Sequence, residues 1–72
     1  MTKIEEIYAA VLPEMKAKGI EDTIENRLAF LNGLSDAWIE DEDRSPEKCL
    51  YIVAISCEIT SLNAKVFHKN LG

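Results

Sequence analysis

The side chains that can act as nucleophiles, acids or bases are few and scattered in this 72-residue chain. Cys57 adjoins Glu58 within an apolar segment, where burial and a neighbouring carboxylate both disfavour the thiolate. Glu58 has no base, nucleophile or metal ligand nearby in sequence to define a mechanism, and is expected to face solvent or to pair with Arg27. His68 is expected to favour a helix C-terminus by its charge. No catalytic residue is therefore assigned, and the chain is not expected to be an enzyme.

Metal and cofactor sites are not predicted either. Zinc-binding cysteines usually occur in close pairs, but Cys49 and Cys57 are eight residues apart. In a helix this is about 12 Å along the axis, beyond the roughly 7 Å that one disulfide spans. We interpret both as small buried apolar residues in a reducing compartment, although a bridge between two chains stays open. The acidic residues lack the alternating ligands and central glycine of a calcium loop.

The net charge of −5 is concentrated in one part of the chain. Residues 36–47 contain six acids and one base, whereas the remainder contains seven acids and seven bases. Because nucleic-acid binding depends on Lys and Arg, direct nucleic-acid binding is not expected. Residues 40–43, the acidic segment, either dock a protein with a basic surface or form a solubilising loop. The partner-docking candidates are Trp38, Glu40, Asp41, Glu42 and Asp43.

Apolar residues at helical spacing form a stripe near the start of the chain and predict the first helix. This helix begins after Thr2, with Glu5 completing a capping box, and ends near Gly19. Its members are Ile4, Ile7, Tyr8, Val11, Leu12 and Met15. Pro13 lies inside this segment. Because proline has no backbone N–H to donate a helical hydrogen bond, it predicts a kink or two short helices end to end.

Two further helices are indicated by their start signals. Asp22 or Thr23 suits the N-cap of a second helix, which extends to the acidic segment. Ser45 as N-cap and Pro46 at the first helical position predict a third helix that runs towards Lys69. Its β-branched residues would also suit a strand, but the sequence offers no second strand for pairing.

The sequence thus predicts one all-α domain over residues 1–72, a small three-helix fold. Residues 49–57 are apolar on nearly every side, and such a helix must be buried all round. Because two short helices cover only part of that circumference, a helical homodimer is predicted; a compact core around this helix is the alternative. The self-association candidates are Leu50, Tyr51, Val53, Ala54 and Cys57.

Together these features predict a small acidic protein–protein interaction module that acts as a regulator, inhibitor or adaptor by surface binding. The alternative is a subunit of a helical enzyme or ligand-binding bundle whose site forms only on oligomerisation. The longest apolar run, residues 50–55, is shorter than the roughly 18 residues that span a bilayer. No secretory signal pattern is seen at the start, so no membrane association and a cytoplasmic location are expected.

Overall fold

The computed structural model describes residues 2–42 and 44–71, and the regular structure within these ranges is helical. Helix α1 spans Lys3–Ala17, α2 spans Ile24–Glu40 and α3 spans Pro46–Leu71. The predicted all-α, three-helix fold is confirmed. A single chain does not test the predicted homodimer.

Helix α1 begins with the expected capping box. The Thr2 hydroxyl accepts a hydrogen bond from the Glu5 amide at 3.3 Å, and the Glu5 carboxylate accepts one from the Thr2 amide at 3.2 Å. The helix is continuous across Pro13, so the predicted alternative of two short helices is wrong. Pro13 is exposed while Val11 and Met15 are buried. The packing of these two side chains stabilises the helix despite the hydrogen bond that Pro13 cannot donate. Gly19 follows with φ of 73°, a conformation that glycine adopts easily.

Helix α2 is capped by side chains at both ends. Thr23 is the N-cap and accepts from the Asn26 amide at 3.1 Å, whereas Asp22 forms an ion pair with Arg27 instead. At the other end, the Arg44 guanidinium donates to the Ile39 carbonyl at 2.7 Å and to the Asp41 carbonyl. A cation at a helix C-terminus offsets the helix dipole, which compensates for the acids that follow α2.

Helix α3 is the longest element and both other helices pack on it. It begins as predicted, with the Ser45 hydroxyl accepting from the Lys48 amide at 3.3 Å. Its 26 residues make it about 39 Å long, against 15 residues in α1 and 17 in α2. An ion pair between Glu25 and Lys69, at 2.9 Å, shows that α2 runs antiparallel to it.

The apolar core lies where the three helices meet. Its buried side chains come from every helix: Ile7, Val11, Met15, Leu31, Ile55 and Leu62. Ile55 and Leu62 lie seven residues apart, on one face of α3. The long helix therefore contributes a single face to its own domain.

A polar contact beside the core joins all three helices. The Tyr8 hydroxyl donates to the Glu58 carboxylate, and the Arg27 guanidinium lies 4.9 Å from the centre of the Tyr8 ring. The expectation that Glu58 faces solvent or pairs with Arg27 is wrong, because Asp22 binds Arg27 and Tyr8 binds Glu58. Burial of the phenol, its hydrogen bond to Glu58 and that carboxylate's charge raise the pKa of Tyr8 to about 12, against an opposing effect of Arg27.

Replacing Leu31 by alanine is expected to destabilise the fold strongly. Leu31 is 0% exposed, and loss of a fully buried leucine typically costs about 2–5 kcal/mol through lost burial and the cavity left behind. Ile39→Ala, at a side chain that is 50% exposed, is the matched control and should cost far less. Urea unfolding of both variants checks this, and equal losses would contradict the assignment of the core.

The Tyr8 contact predicts a loss of stability in alkali. Because the folded-state pKa lies above the ordinary value of 10.0, the stabilisation is complete below about pH 10 and is lost as the pH rises towards about 12. Tyr8→Phe removes this titration, so its free energy of unfolding should fall less than that of the wild type between about pH 9 and pH 11.5. Urea unfolding at each pH measures this free energy for both proteins. If it falls equally with pH in the two, the pKa of Tyr8 is not raised in the folded state.

Candidate protein interaction surface

One face of α3 stays outside the three-helix core along nearly the whole helix. Four large apolar side chains on this face are 56, 60, 63 and 69% exposed, respectively Leu50, Val53, Phe67 and Leu71. Cys57, Thr60 and Ala64 lie between them and are also exposed. We call these seven residues the α3 stripe. Their alternating intervals of three and four residues give a period of 3.5, which is typical of a seam where one helix packs against another.

The borders of the α3 stripe carry little charge. Most of its flanking positions are small or uncharged: Cys49, Ala54, Ser56, Ser61, Asn63 and Asn70. Glu47 and His68 are the exceptions, one near each end of α3. All of these residues are exposed except Ala54, which is partly buried. A second helix can therefore approach the stripe closely along most of its length.

Thr60 is the polar member of the α3 stripe, and its hydroxyl already has a partner. It donates to the Ser56 carbonyl of the same helix at 3.0 Å. Burying Thr60 under another helix would therefore leave no unsatisfied hydroxyl donor at the seam.

The self-association candidates fall into two groups. Leu50, Val53 and Cys57 belong to the α3 stripe, whereas Tyr51 and Ala54 pack against the core of their own chain. Both α1 and α2 pack on α3, as the alternative of a compact core around this helix predicts. They do not enclose residues 49–57, however, because Leu50 and Val53 stay exposed. The self-association candidates did not include four members of the stripe, Thr60, Ala64, Phe67 and Leu71. Their signal was the same spacing, continued beyond residue 57.

The expectation that both cysteines are buried is also wrong. Cys49 and Cys57 are exposed and unpaired, because they lie on the outward side of α3. Within residues 2–42 and 44–71, no three His, Cys, Asp or Glu side chains are grouped as a metal site. The His68 ring contacts Phe67, with 6.2 Å between ring centres.

The partner-docking candidates are only partly available at the surface. Trp38 is half-buried and meets the Tyr51 ring edge-on, with ring centres 6.2 Å apart. Glu40, Asp41 and Glu42 are exposed, but Asp41 binds the Lys48 ammonium group. Asp43 lies outside the described residues. In the described part of the acidic segment, Glu40 and Glu42 thus remain as the side chains best placed to meet a cationic partner.

By length and composition, α3 is the one helix of the described chain that is long and apolar enough to cross a membrane. Its best window has a mean hydropathy of 1.3. The core helix of a soluble protein can pass the same criterion, but such a helix is mostly buried. Only 11% of this window is buried, although α3 supplies Ile55 and Leu62 to the core. This finding alone is weak evidence for a membrane.

Comparison of the chain with protein family models, curated proteins and solved structures gives no significant match.

Proposed function

We propose that this protein is a small interaction module that forms a homodimer through the α3 stripe. In this role it acts as a regulator, inhibitor or adaptor by occupying surfaces and not by catalysis. The observation that carries the proposal is the exposed apolar seam of period 3.5 on a helix whose other face builds the core.

The extent of the α3 stripe supports a partner. From Leu50 to Leu71 it covers about 32 Å of helix, and monomeric proteins rarely expose an apolar patch of more than a few hundred Å². Covering it removes apolar surface from water, which stabilises association by about 25 cal/mol per Å² before the entropic cost of binding. One helix seam is a small interface, so we expect a dissociation constant on the order of micromolar.

A second copy suits this surface better than a lipid surface does. Helices that lie on membranes usually border their apolar face with Lys and Arg, whereas most flanks of the α3 stripe are uncharged. The net charge of −5 also opposes binding to anionic lipids. A second α3 presents the same spacing and the same neutral borders, so two stripes can interdigitate without repulsion along most of the seam.

The acidic segment supports a second surface on the same module. Glu40 and Glu42 are exposed beside the half-buried Trp38. Clustered negative charge speeds encounters with a positive surface, so the partner class that we propose for this end is a protein with a basic face. The two exposed, unpaired cysteines favour a reducing compartment such as the cytoplasm.

Val53→Asp is expected to turn the dimer into a folded monomer. Val53 is 60% exposed in one chain, so the substitution spares the core but places a charge in the proposed seam. Ile39→Asp, on an exposed apolar side chain outside the stripe, is the matched control. Sedimentation equilibrium of the wild type and control should give twice the 8.1 kDa chain mass at about 100 μM, while circular dichroism stays unchanged in all three. A wild type that stays monomeric at this concentration would contradict the homodimer.

Reversing charge in the acidic segment tests the second surface. The variant Glu40→Lys with Glu42→Lys should lose capture of a protein with a basic face from the native host, because attraction turns into repulsion. The control, Glu14→Lys with Glu21→Lys, changes the net charge equally at exposed positions elsewhere. Quantitative mass spectrometry of the captured proteins compares the two. Equal capture by variant and control rules out this docking surface.

A further inference from the structure

We infer that the two copies pair their α3 helices antiparallel, with the two-fold axis passing between Glu58 and Ile59. This inference rests on the homodimer proposed above and adds the orientation, the register and the residues that select them.

The spacing of the stripe is symmetric about that point. When the exposed Pro46 is included, the intervals along α3 are 4, 3, 4, 3, 4, 3 and 4 residues, which read the same from either end. Turning a second helix end for end therefore places stripe residues against stripe residues throughout. From the centre outwards, each residue faces one of the partner subunit as follows: Cys57 and Thr60, Val53 and Ala64, Leu50 and Phe67, Pro46 and Leu71.

Side-chain volume favours this pairing over a parallel one. In a parallel pair each residue faces its own copy, which sets Ala64 against Ala64 and leaves a void, while Phe67 meets Phe67 and crowds the seam. The antiparallel register places the larger Val53 opposite the small Ala64 instead. Even filling of successive layers is what a well-packed helix interface requires.

Charge at the ends of α3 favours the same orientation. The helix begins with Glu47 just after the acidic segment, where Lys48 is paired with Asp41. It ends with Lys65, His68 and Lys69, of which Lys69 is paired with Glu25. A parallel pair would set acid beside acid and base beside base. An antiparallel pair sets the acidic end of each copy beside the basic end of the other and also opposes the two helix dipoles.

The flanking positions make the charge argument specific. One flank of the stripe consists of residues 47, 54, 61 and 68. In the antiparallel register this flank packs along the same flank of the second copy, so Glu47 lies beside His68 of the partner subunit. The Ala54 position of this flank lines a pocket with Thr2, Lys3 and Ile4 at the start of α1, and the residue opposite it is Ser61 of the partner subunit. The small serine leaves room for the start of α1.

This geometry makes the dimer bivalent. The two acidic segments lie at opposite ends of the paired helices, and the two Pro46 positions are about 38 Å apart along the axis. An adaptor built in this way can hold two basic partners, or two sites on one partner, at a fixed spacing.

Cysteine trapping tests the orientation. In a chain with Cys49→Ser and Cys57→Ser, one variant carries Leu50→Cys and the other Phe67→Cys. The concentration of each variant is set about tenfold above its dimer dissociation constant, which is measured by sedimentation. Mild oxidation of the mixture should yield the mixed disulfide, while each variant alone should stay reduced. Disulfides in each variant alone, and none between them, would overturn the antiparallel register but leave the homodimer intact.

The remaining outcomes separate the two proposals. If the wild type sediments as a monomer, both the homodimer and its register fail. If it dimerises but neither mixture nor single variant forms a disulfide, the copies meet elsewhere and the register is wrong.

A charge swap gives a second readout that needs no covalent bond. His68→Glu sets two acids side by side at both ends of the dimer and should weaken it about tenfold, while adding Glu47→Lys should restore the wild-type dissociation constant. Equal dissociation constants for the single and the double variant would also overturn the register.

Discussion

The difference in length between α3 and its two companions governs the rest of the structure. Helices of 15 and 17 residues pack against a helix of 26, and both lie on the side that carries Ile55 and Leu62. Within residues 2–42 and 44–71, no other helix covers the opposite side of α3. A domain this small buries a limited share of its surface, so the apolar residues left outside are a large part of its total.

The polar contacts show how such a small core reaches a defined arrangement. Tyr8, Arg27 and Glu58 connect the three helices beside the core, and Lys69 ties the far end of α3 to Glu25. Arg44 and Lys48 reach back to α2 and the acidic segment, which offsets part of the charge that follows α2. The α3 residues in these contacts, Lys48, Glu58 and Lys69, lie on the same side of the helix as Ile55 and Leu62, whose burial directs the α3 stripe outward. The exposure of the α3 stripe is a consequence of that packing.

Much of the fold was readable from local pattern. Thr2 with Glu5, Thr23, and Ser45 with Pro46 mark the three helix starts, because N-caps depend on side chains within three residues of the helix start. The continuity of α1 across Pro13 was not readable. It depends on burial of Val11 and Met15 against other helices, which offsets a local cost. The partners of Glu58 and Asp22 were likewise beyond local rules, since two carboxylates compete for one arginine.

The sequence by itself determined the helical class, the helix starts, the concentration of charge and an excess of apolar surface in the third helix. Periodicity and capping act over a few residues, so they need no knowledge of the other helices. Only the tertiary structure decided which side of α3 is covered, because that depends on where α1 and α2 dock. In the folded chain Tyr51 and Ala54 pack against the core and both cysteines are exposed. Ala64, Phe67 and Leu71 lie in one continuous stripe with Leu50 and Val53.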